Sequence, residues 1–529
     1  MKRRFFLSVA VLLTGLAIPC MLFSVEVSEK QDIAIFGLTY YSYEVPEEVL
    51  AYIDSSINHQ FIGLKRFNVL GYANYRLESG DIDEFIARIK ELQVEKVKKE
   101  GTYDEKFGTI VIKGEDFDRI VGSFLVVLPS LSNYGVTVEE TEAILGTKIY
   151  MVPSYSVEVV IDIVFVNVGQ GTMEESIRIY GTGRDRSFEK ANREAVDSAM
   201  SSLSYRIKQI EMFRIKSGVI QVRGDRVFFE LGTNIGVRPG DEYEVLTKHE
   251  VGKTGRIVEM PTGLVRVRKV YPDMTEGVVI IERERITEGD QLVEVARLGG
   301  NLSFYTGIMK VDIPDMNYDI ILGGDLATPP FTSYFSISLN QRARQYVPLA
   351  GISFEKNIGY RLKGILDGTA LLNFPLLGGI GEIGVGTSIY KRRMSVEFAA
   401  LAGILYMTTF QKSLTQNGLS PILIIEGTPI DFLQNPVLNI YGVGAGVKGK
   451  ASIDFRIKPG ASLKAGVAYR LYTPIKDWRL HIEETSGDDK ESVDIGSDSE
   501  NIENTERSEG MKQVNISGYE INFAFTLRF

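Results

Sequence analysis

Three kinds of hydrophobic patterning follow one another along the chain. Between residues 32 and 210, short apolar runs alternate with stretches of helical period. IAIFGLTYY, from Ile33, suits a buried strand, and Pro46 then opens a helix with apolar positions Val49, Ile53 and Ile57. RFNVL reads as a second strand. Asp81 can cap the next helix, with Glu84 at its third position and Ile82, Phe85, Ile86, Ile89 and Leu92 as its apolar stripe. Both helices are expected to cover one face of a sheet. Three further strands follow in VGSFLVVLPSL, SVEVVIDIVFVNVG and EESIRIYGTG, the last two joined through Gly169, Gln170 and Gly171. Ser187 then caps a helix carrying Phe188, Ala191, Ala195, Leu203, Ile207 and Ile210. The pattern predicts an α/β domain of about five strands over residues 25–211.

Residues 212–297 change to short alternating runs with tight turns at Gly224-Asp225 and Pro239-Gly240, which predicts a small all-β barrel of the SH3-like kind. Two turn motifs repeat there, Pro239-Gly240-Asp241-Glu242 and Glu288-Gly289-Asp290-Gln291.

Residues 298–529 are rich in glycine and alternate throughout, with strands expected at 301–310, 318–327, 331–340, 346–355, 361–373, 379–390, 393–406, 437–457, 460–483 and 512–529. That makes ten, and eight to twelve fit the same signals. Ala461, Leu463, Ala465, Val467, Tyr469 and Leu471 share one face; Ser462, Lys464, Gly466, Ala468 and Arg470 share the other. In a soluble sandwich the polar face meets water; in a membrane barrel the apolar face meets lipid and the polar face lines the lumen. The charged residues placed inside by parity are Glu382, Glu397, Lys448, Asp454, Lys464, Arg470 and Arg528, which can neutralise one another. Short links at Thr328-Pro329-Pro330, KNIGY, KRR and Pro459-Gly460 would lie at one rim. The long connections 407–436 and 484–511 would lie at the other, as inner and outer loops of such barrels do.

The stretch YGVGAGVKGKAS at 441–452 carries the G-x4-G-K spacing of a phosphate-binding loop. Ala451 stands where a Ser or Thr would hold magnesium, and no helix follows, so the stretch reads as a barrel strand with an inward glycine row. Those glycines would leave space for Lys464 and Arg470. Trp478 is expected at a membrane interface.

At the N-terminus, Lys2, Arg3 and Arg4 precede an apolar run from Phe5 to about Leu16, the pattern of a secretory signal peptide over residues 1–24. The single cysteine, Cys20, falls in that segment, and Pro19 before it departs from the pattern of a lipidation site. The mature chain therefore forms no internal disulfide. A net charge of -10 gives no support for a nucleic-acid partner. Much of the acidity is concentrated from Glu483 to Glu509 in a polar stretch that reads as a solvated loop.

Two resemblances follow from these residues. Tyr519, Ile521, Phe523, Phe525, Leu527 and Phe529 alternate on one face up to a terminal Phe, which resembles the recognition strand of bacterial outer-membrane barrels. RFNVLGYANYRLE and IRIYGTGRDRSFEKANREAVDSAMSSL resemble the periplasmic α/β domain of the curli secretion channel family. A similar domain occurs in flagellar assembly protein T and in periplasmic activators of peptidoglycan synthases. The two Gly-Asp turn motifs resemble the C-terminal module of flagellar assembly protein T. These resemblances imply an outer-membrane protein with periplasmic modules that works in envelope assembly or export. Its expected partners are outer-membrane lipid, the barrel-insertion machinery and periplasmic proteins. His59, His249 and His481 are too scattered for a metal cluster, and there is no serine elbow or H-E-x-x-H pair, so no catalytic centre and no cofactor are expected. A small-solute porin or transporter, and a secreted or surface adhesin, are the rival readings.

Overall fold

The computed structural model describes residues 25–40, 45–77, 79–95, 104–107, 110–145, 148–252, 256–314, 316–325, 332–373, 376–409, 412–413, 422–425, 428–431, 436–484, 492–496, 503–504 and 513–529. Residues 1–24, expected to be a signal peptide and holding Cys20, and most of the acidic stretch after Glu484 lie outside them.

In the first region β1 (Gln31–Phe36), α1 (Glu47–Leu64), β2 (Phe67–Tyr72), α2 (Ser79–Glu95), α3 (Gly114–Val121), β3 (Leu125–Leu145), β4 (Lys148–Asn167), β5 (Thr172–Asp185) and α4 (Phe188–Gln209) succeed one another. The sheet order is β2-β1-β3-β4-β5. β1 is parallel to both β2 and β3, whereas β3, β4 and β5 form an antiparallel meander. The two helices expected on one face lie on opposite faces. Val49, Ile53 and Ile57 of α1 join α4 in one core, while Phe85, Ile86 and Ile89 of α2 join Phe117 and Ile120 of α3 in another. Topology supplies the reason. The β1-to-β2 connection moves one way along the sheet and the β2-to-β3 connection moves back past β1, so crossovers of the same hand land on opposite faces. Asp81, expected as a cap, sits inside the first turn of α2, where its charge still suits the helix dipole. Ser187 does cap α4, its side chain accepting from the Lys190 N–H.

Close packing of α4 on β5 is written as small residues on both partners. A Cβ on Gly181 would stand 2.1 Å from Ala195 O, and one on Gly183 would stand 2.2 Å from Ala191 O. Ala191, Ala195 and Ala199 form the matching stripe, each wholly buried.

The second region forms a closed six-stranded barrel from β6 (Lys216–Arg223), β7 (Arg226–Glu230), β8 (Glu242–Val251), β9 (Arg256–Val270), β10 (Met274–Glu282) and β11 (Gln291–Val295). Its two Gly-Asp motifs build the same turn twice. Gly240 and Gly289 have φ of 99° and 88°, a conformation that favours glycine. The aspartate after each glycine accepts from the backbone N–H three residues earlier, Arg238 to Asp241 at 2.8 Å and Thr287 to Asp290 at 2.7 Å. The residue that follows then points outward to an anchor. Gln291 donates to Glu26 O at 2.8 Å, and Glu242 reaches the last region.

That region closes as eight strands: β12 (Gly300–Ile313), β13 (Arg344–Asn357), β14 (Leu362–Leu371), β15 (Leu376–Lys391), β16 (Met394–Thr409), β17 (Pro436–Lys458), β18 (Ala461–Tyr472) and β19 (Gly518–Arg528). The ring runs β16-β15-β14-β13-β12-β19-β18-β17 and back to β16, every neighbour antiparallel. The expected strands 318–327 and 331–340 form as Met316–Asp325 and Thr332–Gln341, which pair with each other outside the ring. β12 and β13 zip directly from Gly300↔Lys356 to Ile313↔Arg344, leaving no gap for two more strands. Alternation identifies a strand but not its neighbours. The expected strand 460–483 also divides, its second part (Trp478–Glu484) pairing with β17.

Connections 358–361, 392–393 and 459–460 lie at the rim facing the six-stranded barrel, where Arg393 donates to Glu282 O and Arg297 to Pro459 O. The strand ends Ile313 and Arg344, Leu371 and Leu376, Thr409 and Pro436, and Tyr472 and Gly518 lie at the opposite rim. The Thr328-Pro329-Pro330 link, expected among the short turns, falls outside the described residues.

Candidate functional site: a charged lumen and its mouth

Strand pleating gives each barrel residue one of two faces, and this chain assigns them in the reverse of a soluble protein. Ile383 and Phe523 are 68% and 62% exposed on the outside, whereas Lys448 and Arg470 are 1% and 0% exposed within. The last strand shows the outer belt clearly. Tyr519, Ile521, Phe523, Phe525, Leu527 and Phe529 all face outward and are exposed. From Tyr519 to Phe529, at about 3.3 Å per residue and a tilt of about 40°, the belt is about 25 Å tall. Beyond it the alternation reverses. On β12, Phe304 and Ile308 face out below, whereas above them Lys310 and Asp312 face out while Met309, Val311 and Ile313 turn inward.

Inside, the inward residues form two layers of ion pairs. Nearer the six-stranded barrel, Lys363 and Lys464 alternate with Glu355 and Glu397 in a four-membered ring: Lys363 lies 2.9 and 2.7 Å from the two carboxylates, Lys464 2.7 and 2.8 Å. In the next layer Lys448 approaches Glu382 at 3.2 Å, Asp367 at 3.4 Å and Glu520 at 3.6 Å. Arg470 bridges Glu382 at 3.0 Å and Glu520 at 2.6 Å, and Tyr472 donates to Glu382 at 2.9 Å. Tyr305 donates to Asp367 and approaches Thr369. Above these layers Met309, Leu349, Leu405, Met407, Ile440, Ile475 and Trp478 close the lumen as a hydrophobic core. Trp478, expected at an interface, is wholly buried here.

The glycine row accounts for that burial. On β17, Gly442 is paired with Trp478 and Gly446 with Tyr472. A Cβ on Gly446 would stand 2.6 Å from Tyr472 Cγ, and one on Gly442 2.3 Å from Ile475 Cγ2. The space thus serves Tyr472, Ile475 and Trp478 rather than Lys464 and Arg470.

All seven charged residues singled out by parity lie on the inner side. Glu382, Lys448 and Arg470 meet in one layer, and Glu397 and Lys464 in the other; Asp454 pairs with Arg528 instead of a lysine. Glu355, Lys363 and Asp367 were missed, although their positions alternate with the outward Phe354, Leu362 and Leu366. Glu242 was missed as well; its signal was the repeated turn motif.

Glu242 closes the mouth. It leaves the six-stranded barrel and meets Arg456 of β17 at 2.9 Å, Arg297 of the linker at 3.2 Å and Arg266 at 3.5 Å. Burial alone would raise its pKa, but these three guanidiniums outweigh burial and hold it well below the usual carboxylate range. A second clasp ties this barrel to the α/β sheet. Arg66 forks onto Glu294 at 2.7 and 3.0 Å, and Lys208 adds a contact at 3.0 Å. Against the opposing effect of burial, those cations pull Glu294 down to about 2.

Chemically, this lumen is a filled, electrically compensated interior. No described helix is long and apolar enough to cross a membrane, which leaves strand crossing open. No family model and no curated protein matches the chain. Among solved structures it is similar to the outer membrane protein OprG from Pseudomonas aeruginosa, with 12% identity and a TM-score of 0.22 over 44% of this chain and 97% of that one. A major outer membrane protein from Thermus thermophilus gives 12% and 0.22 over 44% and 99%. The outer membrane protease OmpT from Escherichia coli gives 6% and 0.18 over 44% and 99%. At such TM-scores the likeness carries no argument, and the functional reading rests on the barrel's own residues.

Proposed function

We propose that this chain is a closed outer-membrane anchor: its eight-stranded barrel sits in the outer membrane and holds the six-stranded barrel and the α/β unit beneath it in the periplasm. One observation carries the reading. The barrel turns an apolar belt outward while ion pairs and a hydrophobic core fill its inside, so it suits a lipid surround and, among the described residues, leaves no open path for solute. Eight strands leave room for little besides side chains. The soluble units join the rim with the short turns, which in such barrels is the periplasmic one. Two buried clasps, at Glu242 and at Glu294, hold them there.

On this reading the α/β unit is the working part. Its likeness in sequence layout to the curli secretion channel and flagellar assembly protein T families supports a role in binding periplasmic proteins that assemble or export an envelope structure, with no chemistry of its own. Planar-bilayer recording of the purified, heat-modifiable protein tests the closed barrel. No unitary conductance is expected. Reproducible ion-conducting steps from the folded form would replace the anchor with the porin reading.

A further inference from the structure

The rim that faces the six-stranded barrel carries six exposed cations: Lys356, Arg361, Lys391, Arg392, Arg393 and Lys458. They occupy the short turns and the strand ends beside them, and no Asp or Glu occurs within 356–362, 391–394 or 456–461. Among the described residues, the one ion pair they form is Arg392 to Glu282 at 3.7 Å, with Arg392 still 66% exposed. Lys356 and Arg393 donate to the carbonyl oxygens of Leu298 and Glu282, which leaves their charge uncompensated. Arg361 lies 5.4 Å from the ring centre of Tyr360.

These cations border the outer belt directly. Phe354, Leu362, Met394 and Ile457, one or two residues away on the same strands, are 38%, 49%, 48% and 54% exposed. A barrel seated in lipid to the depth of those side chains would place the six charges among the headgroups. The opposite rim differs: its connection 473–517 has twelve Asp or Glu against five Lys or Arg.

We infer that this rim is a binding collar for anionic phospholipid headgroups in the leaflet that faces the soluble units. The inference rests on the membrane reading above and adds a lipid class and a leaflet to it. A cation at a membrane surface favours an anionic over a zwitterionic lipid by roughly five-fold at low salt, and the preference falls as salt screens it.

The test reconstitutes the full chain in nanodiscs of equimolar phosphatidylglycerol and phosphatidylcholine and reads the lipids retained by native mass spectrometry. The wild type is expected to retain phosphatidylglycerol over phosphatidylcholine by roughly ten-fold or more, several cations acting together. Arg361→Gln, Lys391→Gln and Lys458→Gln combined remove half of the six charges and should lower the ratio by about three-fold. The same charge change at the far rim, Lys310→Gln with Arg344→Gln and Lys476→Gln, should leave it unchanged. Equal retention by the wild type, or an equal loss in the far-rim variant, overturns the collar while leaving the anchor standing. A chain that shows no heat-modifiable mobility and retains no lipid overturns both.

Discussion

Replacing Glu242 by Gln isolates the clasp between the two barrels, because glutamine keeps the shape and one acceptor while removing the charge. In the native chain the carboxylate lies within 3.5 Å of Arg456, Arg297 and Arg266, whose side chains are 4%, 14% and 2% exposed. Without it, three guanidiniums face one another with no counter-charge. Removing one member of a buried, hydrogen-bonded ion cluster costs about 3 to 5 kcal/mol. Because Arg297 is partly hydrated and Gln still accepts one bond, the lower figure, about 3 kcal/mol, applies here. That corresponds to roughly a hundred-fold more frequent opening of the junction. Hydrogen exchange in detergent reads it at the amides of Gly300, Asn357 and Phe529, which donate to Phe529 O, Gly299 O and Gly300 O beside the clasp and should lose protection while β14 to β16 keep theirs. In the wild type, a folded-state pKa below the unfolded one means the clasp is complete above the unfolded value. It weakens only as pH falls toward the folded value, so linker protection should hold from pH 8 to about 5. Unchanged protection in the variant would refute the clasp.

Three other substitutions probe separate parts of the fold. Gly181→Ala drives a Cβ into the backbone of α4 and should cost about 1 to 3 kcal/mol, read as earlier loss of protection in β5 and α4. Lys464→Met leaves Glu355 and Glu397 with Lys363 alone, and should lower the temperature at which the folded gel band disappears, with a loss of about 3 kcal/mol or more. Phe523→Arg, at the middle of the outer belt, should cost about 2 to 4 kcal/mol for refolding into lipid. A soluble barrel would register no such penalty.

Period-two patterning revealed the strands of the large barrel, and parity alone picked out charges that the structure places inside it. What parity could not convey is which strands are neighbours. Met316–Asp325 and Thr332–Gln341 alternate like ring strands, yet they stand outside because β12 and β13 are already partners. The burial of Trp478 was hidden for a related reason. It depends on a glycine 36 residues earlier, Gly442, which lies opposite only once β17 and Trp478–Glu484 are paired. The clasp at Glu242 joins residues 214 positions apart in the case of Arg456, beyond the reach of any local pattern. The helices were legible individually; the faces they cover followed from crossover direction, which requires the strand order.

On the proposed function, a lipid-embedded barrel separates its two rims and holds the six-stranded barrel and the α/β unit on the inner side. Cysteine labelling probes this arrangement most directly, because the chain's single cysteine, Cys20, lies in the N-terminal stretch expected to be removed as a signal peptide. Asp225→Cys marks the turn between β6 and β7 of the six-stranded barrel, and Lys310→Cys marks the far rim. In intact cells an impermeant maleimide should label position 310 and spare position 225, which should react once the outer membrane is opened. Labelling of position 225 in intact cells would place the six-stranded barrel outside the cell and rule out the proposed anchor.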